Sequence, residues 1–133
     1  QFSTAAHCVY NLKAQLIFVV AYLRKAISSR VLQRLIEILS DVCQREQSEL
    51  LECSGERHHV HLLISYPPKL CLSELIRKLK AISSLKIRRE FNCEIRYLLW
   101  GKRFWTKSDC VISVGDGATT AIIGLYIRNQ RPN

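Results

Sequence analysis

The stretch GERHHVHLLISYPP, residues 55–68, decides the architecture. Its middle, HHVHLLISY, is short, rich in strand-forming side chains and closed by Pro67 and Pro68, which cannot continue a sheet ladder. It reads as a strand over 58–66. Successive strand residues face opposite sides, so His59 and His61 project together from one face while Val60 points to the other. The residues just before it, SGER at 54–57, read as a turn, and a partner strand is expected at 49–53.

Working outward, CVYNLKAQLIFVVAYLR (8–24) is dense in Val, Ile, Phe and Tyr and reads as one long, mostly buried strand. Ser28 or Ser29 is an expected N-cap, and Val31, Leu32, Leu35, Ile36, Ile38, Leu39, Val42 and Cys43 follow at the i, i+3, i+4 spacing of an amphipathic helix. On the other side, Ser73 is expected to cap a second helix with Leu72, Leu75, Ile76, Leu79, Ile82, Leu85 and Ile87 on its apolar side. A loop of large side chains, YLLWGKRFW (97–105), precedes a fourth strand over 109–114 that turns at Gly115 and Gly117. Thr119 or Thr120 is expected to cap a last short helix, 121–130. The order β-α-β-β-α-β-α predicts an α+β, ferredoxin-like (RRM-like) fold: an antiparallel sheet, helices on one face, and a helix at the C-terminal end. That fold hosts RNA-binding, metal-binding and enzymatic proteins, so the residues that carry chemistry must decide between them.

The chain has 133 residues, no internal repeat and no linker, which predicts one domain over 1–133. With 48% hydrophobic and 23% charged residues it is neither disordered nor fibrous. The longest apolar run, LIFVVAYL (16–23), is far too short to span a bilayer, so no membrane is expected as a partner. No secretory signal is readable, and the cytoplasm is the expected location. None of the six cysteines (8, 43, 53, 71, 93, 110) forms a CxxC pair, which excludes zinc-ribbon and thioredoxin-type readings and predicts reduced thiols behaving as small hydrophobes.

The charge is lopsided. Of a net +9, residues 69–107 carry +8: eleven basic side chains (Lys69, Arg77, Lys78, Lys80, Lys86, Arg88, Arg89, Arg96, Lys102, Arg103 and Lys107) against Glu74, Glu90 and Glu94. A one-sided positive field is the footprint of a protein that neutralises phosphates, and its bland alternative is a solvated helix face. Two further patterns point to chemistry. The neutral imidazoles of His59 and His61 offer a partial site for a divalent metal, against the alternative of two surface histidines. Tyr126 and Gln130, four apart on the last helix, share a face, and a metal and basic groups nearby would favour the phenolate of a tyrosine nucleophile; otherwise such a tyrosine packs on the sheet.

Four segments in order, GERHHVHLLISYPP, LSELIRKLKAISSLKIRREF, LLWGKRFWTKSDCVISVG and IIGLYIRNQ, together resemble the single-tyrosine, His-hydrophobic-His transposases of the insertion sequence 200/605 type, from about residue 10 to 132. The resemblance implies an enzyme that cuts and rejoins single-stranded DNA at the ends of a mobile element through a 5′-phosphotyrosine, with Tyr126 as nucleophile. It further implies a divalent cation, Mg²⁺ or Mn²⁺, held by His59, His61 and Gln130. It implies a homodimer inside a prokaryotic cell, associated with the nucleoid. Hairpins near the element ends would be bound by Arg77, Lys78, Lys80, Lys86, Arg88 and Arg89 on the second helix and by Lys102 and Arg103 in the loop, where Trp100, Phe104 and Trp105 either stack on unpaired bases or, the more frequent use of such aromatics, bury the tip of the sheet. The chain departs from the family pattern at His58, usually Asp. It departs again at Ala14-Gln15, usually Tyr-His, and at Ala21 and Leu23 within a box that usually reads Lys-Tyr-Arg-Arg.

Two other readings stand beside it. One is a non-catalytic or decayed nucleic-acid-binding module on the same sheet, although an RRM would carry aromatics where this strand carries His59 and His61. The other is a metal-sensing or storage protein using His58, His59, His61 and Cys53, which leaves the basic segment and the Tyr126 helix unexplained.

Overall fold

The computed structural model describes residues 11–108 and 110–113. Strand β1 (Leu12–Val19) is followed by helix α1 (Ser29–Arg45), strands β2 (Glu49–Glu56) and β3 (His59–Tyr66), helix α2 (Leu72–Glu90), a short helix α3 (Asn92–Ile95) and strand β4 (Cys110–Ser113). The sheet order is β2-β3-β1-β4, with every neighbouring pair antiparallel. The two central strands are thus not consecutive in the chain, and α1 carries the crossover from β1 past β3 to the edge strand β2. This is the ferredoxin-like split β-α-β arrangement predicted from the order of elements.

Alternation makes the sheet two-faced. Ala14, Leu16, Phe18 and Val20 from β1 and its end, with Val60, Leu62 and Ile64 from β3, are buried against Val31, Leu35, Ile38, Leu39 and Val42 of α1 and Leu75, Leu79 and Ile87 of α2. Cross-strand pairing puts Leu16 opposite Leu62 and Phe18 opposite Val60, so like layers meet. Helix α1 begins where expected, the Ser28 hydroxyl accepting from the Val31 amide at 3.2 Å. Gly55 lies where the edge strand comes closest to its neighbours. A Cβ there would sit 2.9 Å from the His59 carbonyl oxygen and from Val60 Cγ1, and 3.3 Å from Leu32 of α1.

Several boundaries differ from the sequence expectation. Strand β1 stops at Val19, well short of residue 24, and passes into a 3-10 turn at Ala21–Leu23 in which Tyr22 and Leu23 have φ of 57° and 53°. Left-handed backbone costs a residue with a Cβ about 1–2 kcal/mol, and nothing in an apolar run announces it. Strand β2 continues through Ser54 and Gly55 to Glu56, so the expected turn at 54–57 shrinks to Arg57 and His58. Helix α2 has Cys71, not Ser73, at its N-cap; the Cys71 thiol and Ser73 hydroxyl lie 3.2 Å apart and no side chain caps the first turn. The fourth strand is described over Cys110–Ser113, inside its expected span, and the expected last helix at 121–130 lies outside the described residues.

Candidate active site

The pair His59 and His61 opens β3 on the sheet face turned away from the helices, while Val60 and Leu62 between and beyond them are wholly buried in the core. Both imidazoles are half-buried. Around them the register brings Ile17 and Val19 of β1, also buried, and Ser54 and Glu56 of β2 directly opposite. The histidines therefore emerge from an apolar floor with a polar edge strand on one side.

Each ring is held. His61 Nε2 lies 2.9 Å from Gln15 Oε1. An amide oxygen only accepts, so Nε2 carries the proton and donates, which leaves the His61 lone pair on Nδ1. His59 Nδ1 lies 3.1 Å from His58 Nδ1, the two rings stacked obliquely with centroids 5.0 Å apart. Burial, then the neighbouring His58, lowers the pKa of His59; Glu56 opposes this and His61 adds to it. His59 is thereby favoured as neutral imidazole, the form that ligates a metal. Among the described residues no group of three or more His, Cys, Asp or Glu gathers to hold a metal, and the remaining expected ligand, Gln130, and the nucleophile, Tyr126, lie outside the described residues.

The basic segment divides into two kinds of side chain. Lys78 pairs with Glu46 at 3.0 Å, fastening α2 to the end of α1. The Arg88 guanidinium donates to the Arg103 and Leu99 carbonyls, both at 3.1 Å, and Lys80 donates to the Thr106 carbonyl at 2.6 Å, so these two cations hold the loop after α3 against α2. Arg77, Arg89, Lys102 and Arg103 are exposed. Between α2 and residues 103–107 runs an open groove of about 420 Å³ whose walls include Arg77, Lys80, Ser84, Arg103, Thr106 and Lys107. Four cations, Arg77, Lys80, Arg103 and Lys107, and no carboxylate line it.

The loop aromatics separate just as cleanly. Phe104 and Trp105 are core residues: Trp105 Nε1 donates to the buried Ser83 hydroxyl at 2.9 Å, and its ring packs on Phe18 and edge-on against Phe104. Of the two expected uses of the loop aromatics, Phe104 and Trp105 take burial and not base stacking. Trp100 is 85% exposed.

The comparisons with known proteins give this geometry its context. Residues 8–130 match the family model described as Transposase IS200 like. The chain belongs to the IS200-like transposase family. It is 32% identical over 124 residues to the ISDra2 transposase TnpA of Deinococcus radiodurans, an alignment covering 92% of this chain and 86% of that protein. It is 30% identical over 125 residues to the transposase for insertion sequence element IS200 of Salmonella typhimurium, covering 94% and 80%. A crystal structure of a Deinococcus radiodurans protein assigned as a transposase superposes with a TM-score of 0.82 at 28% identity, over 99% of this chain and 100% of that one. The fold is also shared, at a TM-score of 0.54 and 11% identity over 90% of this chain and 64% of the other, with a REP-associated tyrosine transposase solved bound to a REP hairpin.

Membership of the IS200-like transposases carries DNA cleavage and transfer as the class of activity. Among the described residues of this transposase no helix is long and apolar enough to cross a membrane. The expected histidines are brought together on one face, and the expected basic residues are spread along α2 and the loop it grips. Sequence reasoning missed Gln15, whose contact with His61 depends on the register of β1 against β3, and Tyr22, whose backbone only the structure reveals. The departure from the family pattern at Gln15 was the one available signal for the first.

Proposed function

We propose that this transposase cleaves and rejoins single-stranded DNA at the ends of a mobile element, with Tyr126 as nucleophile. The observation that supports it is the side-by-side presentation of His59 and His61 on the sheet face turned away from the helices, each ring oriented by a neighbour, in a chain of this family. In the reaction the Tyr126 phenol oxygen forms a bond to the scissile phosphorus as the bond from phosphorus to the 3′ oxygen breaks. The phenol proton is given up and the leaving 3′ oxygen ends as a hydroxyl. The product keeps the energy of the cleaved phosphodiester in a 5′-phosphotyrosine, so an incoming 3′-hydroxyl reverses the step and joins a new strand without added energy.

The donor set suits a divalent cation, Mg²⁺ or Mn²⁺. Donation from His61 Nε2 to Gln15 leaves Nδ1 as a lone pair, and in the tautomer in which His59 Nδ1 is the donor to His58 Nδ1, the His59 Nε2 is a second one. Gln130 would complete the set with an amide oxygen. Held there, such a cation would supply Lewis-acid polarisation of a phosphoryl oxygen. Gln15 fixes the tautomer of His61, and the apolar floor of Ile17 and Val19 limits water beside the reacting phosphate.

Hairpins at the element ends would lie along the groove between α2 and residues 103–107, where Arg77, Arg103 and Lys107 face phosphates. The REP-associated transposase that shares the fold was solved bound to a REP hairpin, which supports a hairpin as the kind of DNA bound. Two copies would supply the two cleavage sites that excision of one element requires.

The test is incubation with single-stranded DNA bearing an element-end hairpin and Mg²⁺ or Mn²⁺, followed by a denaturing gel. Wild type should give a covalent adduct; Tyr126→Phe should give none while still shifting the hairpin on a native gel. An adduct that persists in the Phe variant puts the nucleophile elsewhere, and hairpin binding without any adduct in wild type favours the non-catalytic alternative.

A further inference from the structure

A cleft of about 340 Å³, which shares Arg103 with the cationic groove, lies between the 3-10 turn that follows β1 and the loop that follows α3. Its walls are Tyr22, Leu99, Trp100, Gly101, Lys102 and Arg103, with Ala21 at its base. Tyr22 and Trp100 are 57% and 85% exposed, so two large aromatic rings are offered to solvent at one small opening. The volume is at the small end of the range that ligand clefts occupy, about 300–1,000 Å³.

Both rings are presented by backbone that a purely structural turn would not need. Tyr22 stands at φ 57° and Leu23 at 53°, and Gly101, next to Trp100, at 68°. A side chain at 101 would meet nothing within 4 Å, so glycine serves the conformation there and not the packing. Strained residues of this kind persist where surrounding structure over-determines them, and they gather at binding sites. The surroundings here are firm. The Ala21 amide donates to the Phe104 carbonyl at 2.9 Å, Val20 bridges Trp105, and Arg88 grips the Leu99 and Arg103 carbonyls.

The electrostatics are one-sided. Lys102 and Arg103 line the cleft, and Arg24 and Lys25 follow Tyr22 in the chain, all four exposed. Neither 20–27 nor 97–108 contains an acidic residue. Aromatic faces flanked by cations and free of carboxylates are the chemistry that takes an unpaired nucleobase and its phosphate, since every base offers a π-face and every linkage a charge.

The position gives the cleft a role. Val19, the last residue of β1, pairs with His59, and the Val20 amide donates to the His58 carbonyl at 2.8 Å. Tyr22 is three residues further on, so its Cα lies within roughly 11 Å of that of Val19. The cleft and the histidine pair therefore share one end of the sheet.

We infer that the cleft between Tyr22 and Trp100 captures one unpaired base of the DNA strand, close in sequence to the scissile phosphate, with Lys102 and Arg103 on its backbone. This rests on the single-stranded DNA reading above and adds to it a site that reads a nucleotide by stacking.

Trp100 and Trp105 are the chain's two tryptophans, and Trp105 is buried, so binding at the cleft has its own fluorescence signal. The probes are an oligothymidylate of about eight nucleotides, a hairpin carrying that tail, and the same hairpin cut blunt. Wild type should bind the tailed hairpin more tightly than the blunt one, with quenching of the exposed tryptophan by the tail. Trp100→Ala and Tyr22→Ala should each weaken binding of the tailed probe by roughly 5- to 150-fold and leave the blunt hairpin unaffected. Trp100→Phe should keep most of the affinity and lose the quenching. The inference is overturned if a gel shift shows the tailed hairpin bound without quenching, or if the two alanine variants bind it as wild type does. If wild type binds neither hairpin nor tail, the single-stranded DNA reading itself fails.

Discussion

Replacing Trp105 by Phe separates the role of a loop aromatic in folding from any role in DNA binding. The indole nitrogen donates to Ser83 Oγ at 2.9 Å inside the core, and the Ser83 hydroxyl in turn donates a hydrogen bond to the Lys80 carbonyl at 3.3 Å. A phenyl ring keeps the packing on Phe18 and Phe104 but removes that donor and leaves a gap where the larger indole lay. A lost buried hydrogen bond costs about 1–3 kcal/mol, and with the gap the total should be about 2–4 kcal/mol. At a few degrees per kcal/mol for a chain of this size, the melting temperature should fall by roughly 8–15 °C. The assay is thermal or urea unfolding followed by far-ultraviolet circular dichroism, which does not depend on the tryptophan removed. Ser83→Ala and the double variant complete a cycle whose coupling should be about 1 kcal/mol. Hairpin affinity at 20 °C below the variant's midpoint should match wild type. A melting temperature within about 2 °C of wild type, or a coupling of zero, would refute the reasoning that the indole is a structural group.

Gly55→Ala should destabilise the fold by about 1–3 kcal/mol, because the new methyl meets the His59 carbonyl oxygen, which cannot swing aside, as well as Val60 Cγ1; chemical denaturation would read it, and an unchanged midpoint would count against it. The lowered pKa of His59 means that the unfolded chain takes up a proton there more readily than the folded one, so stability should be complete above the ordinary histidine range and fall as pH drops through about 6.5. The drop in melting temperature from pH 7.5 to 5.5 should be smaller in His59→Gln, and equal slopes would show the site to be unperturbed. Burial pushes the Cys43 thiol to about 12 and Cys53 to about 11, whereas the Ser73 hydroxyl lowers that of exposed Cys71. Iodoacetamide followed by peptide mapping should therefore modify Cys71 well before Cys43 or Cys53, and the reverse order would contradict the packing.

What could be read in advance was whatever depends on periodicity. The strand at 59–66 and the stripe from Val31 to Cys43 both declare their buried faces by spacing alone, and the pairing of the two histidines follows from the first. The end of β1 was hidden because LIFVVAYL is apolar throughout, and no spacing within it tells Val19 from Tyr22. The start of α2 was misplaced because Ser73 has the chemistry of a cap, yet its hydroxyl lies beside Cys71 Sγ and leaves the first turn uncapped. Whether Trp100, Phe104 or Trp105 would be buried depends on contacts with Phe18 and Ser83, far away in the chain, which a loop without period does not reveal. The hold of Gln15 on His61 belongs to the same class, since it needs the register of two strands 46 residues apart.

The alternation of β3 has a consequence for how this protein can vary over time. Parity along that strand assigns Val60, Leu62 and Ile64 to the interior and His59 and His61 to the opposite face. A single inserted or deleted residue anywhere between Arg57 and Leu62 would exchange the two sets, burying imidazoles and exposing aliphatic side chains in one stroke. Odd changes of length there are tolerated only where a bulge absorbs the extra residue, as between Leu50 and Glu52 of β2, while an even step keeps the parity and displaces the histidines by about 6.6 Å along the strand. Related chains that differ in length should show their differences in the loops at either end of this strand and not within it.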